Sequence, residues 1–198
     1  MAEAIRERIR DAAKPRVRKI KKKWTAPEPE SFAPEPLLCW DQTLVNTGWA
    51  LVSFPVVIIT GMCRPEPSDL RGHELTLHRA ESLGRAIDQV VFSPVGRAAV
   101  TYVHEMPALF GSRLESSLMA ARELRRAASG YRVVGVYNQS MKALLVAPEK
   151  RPANRKADVK EAVLQYVDIS QLPKGCPLNE HVYDAIALGL TYSHKDVQ

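Results

Sequence analysis

Two acidic residues of this chain stand where a carboxylate is expensive. Asp41 follows the apolar run Leu37-Leu38-Cys39-Trp40, and Glu105 follows the apolar run from Ala98 to His104. A charge within or at the end of a buried strand costs free energy unless it is paired or holds a cation. If the two strands lie side by side, both carboxylates reach one edge of the sheet, and their repulsion raises a pKa unless a cation neutralises them. Farther along, His181 and Asp184 are spaced i,i+3 and share one face of a helix. Asp184 leads into Ala185-Ile186-Ala187-Leu188-Gly189-Leu190, whose small side chains let a helix press closely on a sheet. Convergence of Asp41, Glu105, His181 and Asp184 would suit metal-assisted hydrolysis of a phosphodiester. Oxygen ligands match Mg²⁺, which keeps waters for substrate phosphates, and Mn²⁺ accepts the same ligands. With two ions per site, one activates water and the other stabilises the leaving oxygen, at about 3.5–4 Å separation. Each residue also has a plainer reading. Asp41 can cap a hairpin, Glu105 can open the loop containing Pro107, Asp184 can pair on a helix surface, and His181 can be a satisfied half-buried histidine. Taken singly, the plainer reading is the commoner one. Convergence is what argues for chemistry.

Positioning these groups requires particular elements. Residues 37–54 hold two apolar, β-rich runs flanking Asn46-Thr47-Gly48, which predicts a β-hairpin with Gly48 near the turn. Pro55 interrupts, and Val56 to Cys63 reads as a third strand. A proline-rich loop spans Arg64 to Arg71. Leu83, Ile87 and Val90 recur at helical spacing and predict a helix from about Glu74 to Val91. Ala98 to His104 reads as a buried strand. Leu114, Leu118, Ala121, Leu124 and Ala128 predict a helix ending at Gly130. Tyr131 to Val136 reads as another strand, followed by a basic, proline-containing loop. Val159, Ala162, Val163 and Tyr166 mark a helix. A last helix opens at Pro177 and Asn179, with Asn179 as N-cap, and runs to about Tyr192. The order βββαβαβαα is that of an α/β sheet packed by helices.

Composition bounds the rest. The chain has 198 residues, 45% apolar and 25% charged, which is enough to build a core. No apolar run approaches the ~18 residues of a membrane span, so no membrane role is expected. The basic N-terminus lacks the apolar stretch of a secretory signal, and Glu3, Glu7 and Asp11 argue against a transit peptide. Cys39, Cys63 and Cys176 are odd in number and far apart, so an intracellular, reducing compartment is expected. Net charge is +6, yet residues 1–23 hold ten Lys/Arg against three acids, leaving the remainder near neutral. Arg16, Arg18, Lys19, Lys21, Lys22 and Lys23 form a dense run that attracts nucleic-acid phosphate without sequence preference, or simply a solvated tail. Four prolines in residues 24–36 read as a stiff, extended linker. The expected organisation is a basic tail over 1–23, a linker over 24–36, one domain over 37–192 and a short tail over 193–198. His73 and His78 miss the spacing of a zinc helix, no GxSxG occurs, and Gly84 and Gly96 make no phosphate loop.

The acidic residues sit in motifs that resemble a known family. Residues 40–52, WDQTLVNTGWALV, are similar to the first hairpin of the RuvC-like Holliday junction resolvases. VHEMP at 103–107 resembles their second acidic motif, NRKADVKEAVLQYV at 154–167 their Lys-bearing helix, and NEHVYDAIALGL at 179–190 their final motif. Order and rough spacing agree across about Leu37 to Tyr192. The resemblance implies a ribonuclease H-like α/β fold with a mixed central sheet of about five strands flanked by helices. It implies a homodimer, two divalent ions per active site (Mg²⁺ or Mn²⁺) and nicking of branched DNA such as four-way junctions. Carried over, Asp41, Glu105 and Asp184 become metal-binding carboxylates. His181 takes a position that is acidic in some members and His in others. Lys160 falls in the Lys-bearing helix, with Lys142 as a second candidate for neutralising a phosphate. Phe110 lies past Glu105 where related enzymes carry a wedge aromatic, at a longer offset that favours core or dimer interface instead. The N-terminal extension and the Arg64–His73 loop depart from typical bacterial members and point to a divergent, phage or organellar one. The alternative is a non-catalytic nucleic-acid-binding or assembly protein on the same fold. It has no need for three acids facing phosphate.

Overall fold

A computed structural model of the chain describes residues 25–107, 114–148 and 156–194. Strands β1 (Leu37–Asp41), β2 (Thr47–Ser53) and β3 (Val56–Cys63) come first. Helices α1 (Gly72–Val91) and α2 (Pro94–Ala98) lead to β4 (Thr101–Glu105). Then follow α3 (Leu114–Ala127), β5 (Arg132–Val136), α4 (Asn138–Leu145), α5 (Lys156–Leu164) and α6 (Glu180–Ser193). The strands form one mixed sheet in the order β3-β2-β1-β4-β5. The first three are antiparallel neighbours, while β4 and β5 run parallel to β1. This is the mixed five-stranded α/β architecture the sequence led us to expect.

Side-chain alternation divides the core into two layers. Leu37 and Cys39 of β1, Ala50 and Val52 of β2 and Val103 of β4 pack with residues of α4, α5 and α6. Leu38, Trp40, Trp49, Leu51 and Tyr102 face the other way, onto α1 and α3. All five β1 residues are buried, as a central strand covered by helices on both sides must be. Helix α6 is buried along most of its length. It reaches β1 because Gly189 has no side chain, and a Cβ there would overlap Cys39 Sγ. Asn179 caps α6 as expected, its Oδ1 accepting from the Val182 N–H at 3.2 Å. No helix among the described residues is long and apolar enough to cross a membrane.

Four local features differ from the sequence reading. The turn lies earlier than the Asn46-Thr47-Gly48 stretch: Gly48 is near it, as expected, but already within β2, opposite Asp41. The turn is residues 42–46, where Thr43 and Thr47 hydroxyls satisfy the backbone: Thr43 Oγ1 donates to Asn46 O at 2.7 Å, and Thr47 Oγ1 donates to Thr43 O at 2.9 Å. The strand expected from Ala98 starts at Thr101, because Ser93 accepts from the Val95 and Gly96 N–H groups and Pro94 follows it, which opens the short α2. Helix α4 occupies part of the stretch read as a basic loop. The proline-rich segment is not wholly an extended linker. Pro29–Ser31 forms a 3-10 turn, and Phe32 packs its ring at 5.1 Å from Tyr166 and 5.6 Å from His194. Burying an aromatic ring outweighs the extended bias of the neighbouring prolines. The packed unit therefore includes residues on both sides of 37–192. The basic run from Arg16 to Lys23, and Phe110, lie outside the described residues.

Candidate active site

The alternation that builds the core also aims the acids. Asp41 shares a face with Leu37 and Cys39, and Glu105 shares one with Val103, so both turn toward α6. The parallel ladder of β1 and β4 runs from Leu37↔Thr101 to Trp40↔His104, which leaves Asp41 and Glu105 side by side at the carboxyl ends. In α/β sheets those ends are where ligands bind. His181, in the first turn of α6, reaches them: its Nδ1 lies 2.7 Å from Asp41 Oδ2. Gly48 permits that approach. A Cβ at position 48 would sit 2.5 Å from the His181 carbonyl carbon.

The electrostatics follow from the crowding. Burial, the Asp41 charge and a hydrogen bond shared with Asp41 push the Glu105 carboxyl from its ordinary 4.5 up to about 7. Asp184 adds to the rise, and the Asn138 amide opposes it by donating to Glu105 Oε1 at 3.2 Å. Asp41, Glu105, His181 and Asp184 therefore form one electrostatic neighbourhood. Among the described residues, no three His, Cys, Asp or Glu side chains are disposed around a common point as metal ligands. The His181 ring and a hydrogen bond with the Glu105 carboxyl occupy the Asp41 carboxylate instead. The donor chemistry nonetheless fits a hard divalent cation. Carboxylates are held together against repulsion in a half-buried setting, and a cation relieves that cost in a way a proton does only partly.

The remaining candidates are less central. Lys160 lies in α5, with its Nζ 5.4 Å from the centre of the Tyr183 ring, one residue before Asp184. Lys142 lies in the last turn of α4, four residues from Asn138 and on the same helix face. Sequence reasoning missed Gln42, His104, Arg125 and Asn138. Burial lowers the His104 pKa to about 4, so its imidazole is neutral. Its Nε2 accepts from Arg125 Nε at 3.2 Å, which leaves Nδ1 to donate to Glu105 O at 2.7 Å. The Gln42 carboxamide also bonds the Glu105 backbone. The available signal was position. Gln42 directly follows an acid at one parallel strand end, and Asn138 follows the end of β5.

No protein-family model and no curated protein sequence matches the chain. Solved structures do. Thermus thermophilus RuvC in complex with a Holliday junction substrate superposes with a TM-score of 0.58 at 16% identity, covering 81% of this chain and 93% of that one. A second Thermus thermophilus RuvC structure gives a TM-score of 0.56 at 14% identity, over 80% and 93%. The chain has a divergent RuvC-like, ribonuclease H-like fold.

Proposed function

We propose that this chain is a divalent-metal-dependent endonuclease that nicks branched DNA, four-way junctions foremost. One observation carries the reading. Asp41 and Glu105 are brought together at the carboxyl ends of β1 and β4, with His181 hydrogen-bonded to Asp41. Such a cluster works against stability, and a solvated structural role does not require it. The fold is the one found in a RuvC bound to a Holliday junction substrate.

In this reading Asp41, Glu105 and Asp184 hold Mg²⁺ or Mn²⁺. The ions would supply activation of water and stabilisation of the leaving oxygen. The chain's own groups do the rest. Asp41 accepts a hydrogen bond from His181 Nδ1, which orients the ring and makes Nε2 the nitrogen that takes up a proton. Glu180 Oε1 lies 3.7 Å from that Nε2. Lys160 and Lys142 neutralise backbone phosphates, and the run Arg16, Arg18, Lys19, Lys21, Lys22 and Lys23 adds sequence-independent affinity. A homodimer would present two such sites to the two symmetry-related strands of a junction. The three free cysteines suit a reducing, intracellular compartment.

The test is nicking of end-labelled four-way junction, fork and linear duplex with Mg²⁺, Mn²⁺ or chelator, for wild type beside Asp41→Asn. Paired nicks near the branch that need both metal and Asp41 support the reading. A second reading, binding of nucleic acid without hydrolysis, is favoured by the closed arrangement of His181 on Asp41. Junction binding with no nick under any ion would select it.

A further inference from the structure

The β1–β4 ladder ends one residue short of Glu105. Its last pair is Trp40↔His104. On the other side of β4, the Met106 N–H donates to Val136 O at 2.8 Å, so residue 106 faces β5 and the Glu105 peptide groups face β1. There β1 has already turned away into residues 42–46, and no backbone of β1 remains to meet them. The Gln42 side chain takes its place. Its Oε1 accepts from the Glu105 N–H at 3.2 Å, and its Nε2 donates to the Glu105 carbonyl. A primary carboxamide carries one acceptor and donors in the same plane, so it reproduces a strand's paired contacts. Gln42 is buried, which strengthens both bonds and makes losing them expensive. The Glu105 carbonyl also accepts from His104 Nδ1, whose ring is held by Arg125. From the β5 side, Asn138 Nδ2 holds the Glu105 carboxylate itself.

We propose that Gln42 and Asn138 are positioning residues that hold Glu105 opposite Asp41: Gln42 completes the ladder at the Glu105 backbone, and Asn138 fixes its carboxylate. The need is physical. Two like charges at the end of a strand push apart, and a strand end with unpaired peptide groups yields first. Gripping the Glu105 backbone at N–H and C=O removes the freedom through which its side chain would swing away. Gln42 does this without adding charge to an already crowded carboxylate pair. Its action is on geometry, and it touches neither substrate nor reacting atoms. The inference rests on the nuclease reading for its consequence, while the hydrogen bonds stand apart from it.

The experiment uses the full chain with Gln42→Leu, which keeps bulk and removes both bonds, and separately Asn138→Ala. Three quantities are read for each: the unfolding midpoint in chelator, Mn²⁺ affinity from the rise in that midpoint as Mn²⁺ is titrated, and single-turnover nicking against Mn²⁺ concentration. Removing such supporting contacts is expected to weaken Mn²⁺ binding by about 10–100-fold and to lower nicking at limiting Mn²⁺ in step. Junction affinity in chelator should stay at the wild-type value, which a merely structural lesion would not spare. Should Gln42→Leu fail to fold, Asn138→Ala, at a half-buried helix start, reads the same affinity. Mn²⁺ affinity within about twofold of wild type in the folded variants overturns the proposal while wild type still binds Mn²⁺ and nicks. A wild type that takes up no Mn²⁺ overturns the nuclease reading and this proposal together.

Discussion

In the absence of metal, Glu105→Gln is expected to make the protein more stable, by an amount that grows as pH rises from about 4.5 to about 7. The Glu105 carboxyl is pushed from 4.5 up to about 7 by burial, by Asp41 and by Asp184. At ~1.4 kcal/mol per pH unit, ionising it in the folded protein costs roughly 3 kcal/mol. The sign follows from linkage. Between those two values the folded state retains a proton that the unfolded state has released, so stability falls as pH rises through the window and levels off above about 7. Gln cannot ionise, and its amide oxygen can still accept from Asn138. The variant should therefore match wild type near pH 4.5 and exceed it by up to roughly 3 kcal/mol near pH 8. Urea unfolding in chelator at both pH values measures the difference. A variant that is less stable than wild type near pH 8 would overturn this account. So would a gain of equal size at both pH values, which would point to packing rather than charge.

Three further outcomes concern the packing around the site and the basic run. Gly48→Val should force the start of α6 away from β2, lowering stability by ~1–3 kcal/mol and suppressing nicking, as urea unfolding and the junction assay would show. Phe32→Ala should cost about 3 kcal/mol by the same unfolding measurement, because the ring packs among Phe54, Tyr166 and His194; a negligible change would mean the fold does not need residues before Leu37. Removing residues 1–23 should flatten the log–log salt dependence of DNA binding by about 0.9 for each phosphate that is no longer neutralised, and an unchanged slope would assign the basic run another role.

The strands, the longer flanking helices and the N-cap at Asn179 were legible because each is encoded locally. Apolar runs of strand length, helical spacing around Leu83 and Leu124, and a small-residue run after Asp184 identify elements from neighbouring residues alone. Features set by competition between distant groups were not legible. The proline-rich segment reads as extended until Phe32 finds an aromatic pocket made by Phe54, Tyr166 and His194. Helix α4 is only eight residues long and starts directly after Tyr137, so it offers little helical periodicity to detect.

The site divides in the same way. Residue order is enough to show which carboxylates end buried strands, that His181 and Asp184 share a helix face, and that the charge excess lies in residues 1–23. Those properties depend on residue type and on the fixed periods of strand and helix. That Asp41 stands beside Glu105 emerges only on folding, since it depends on a parallel register joining residues 64 positions apart. Folding also docks His181 on Asp41 over Gly48, and lets Gln42 and Asn138 grip Glu105 from either side. Hydrogen bonds and carboxylate repulsion act over a few ångströms of space, and chain packing sets those distances.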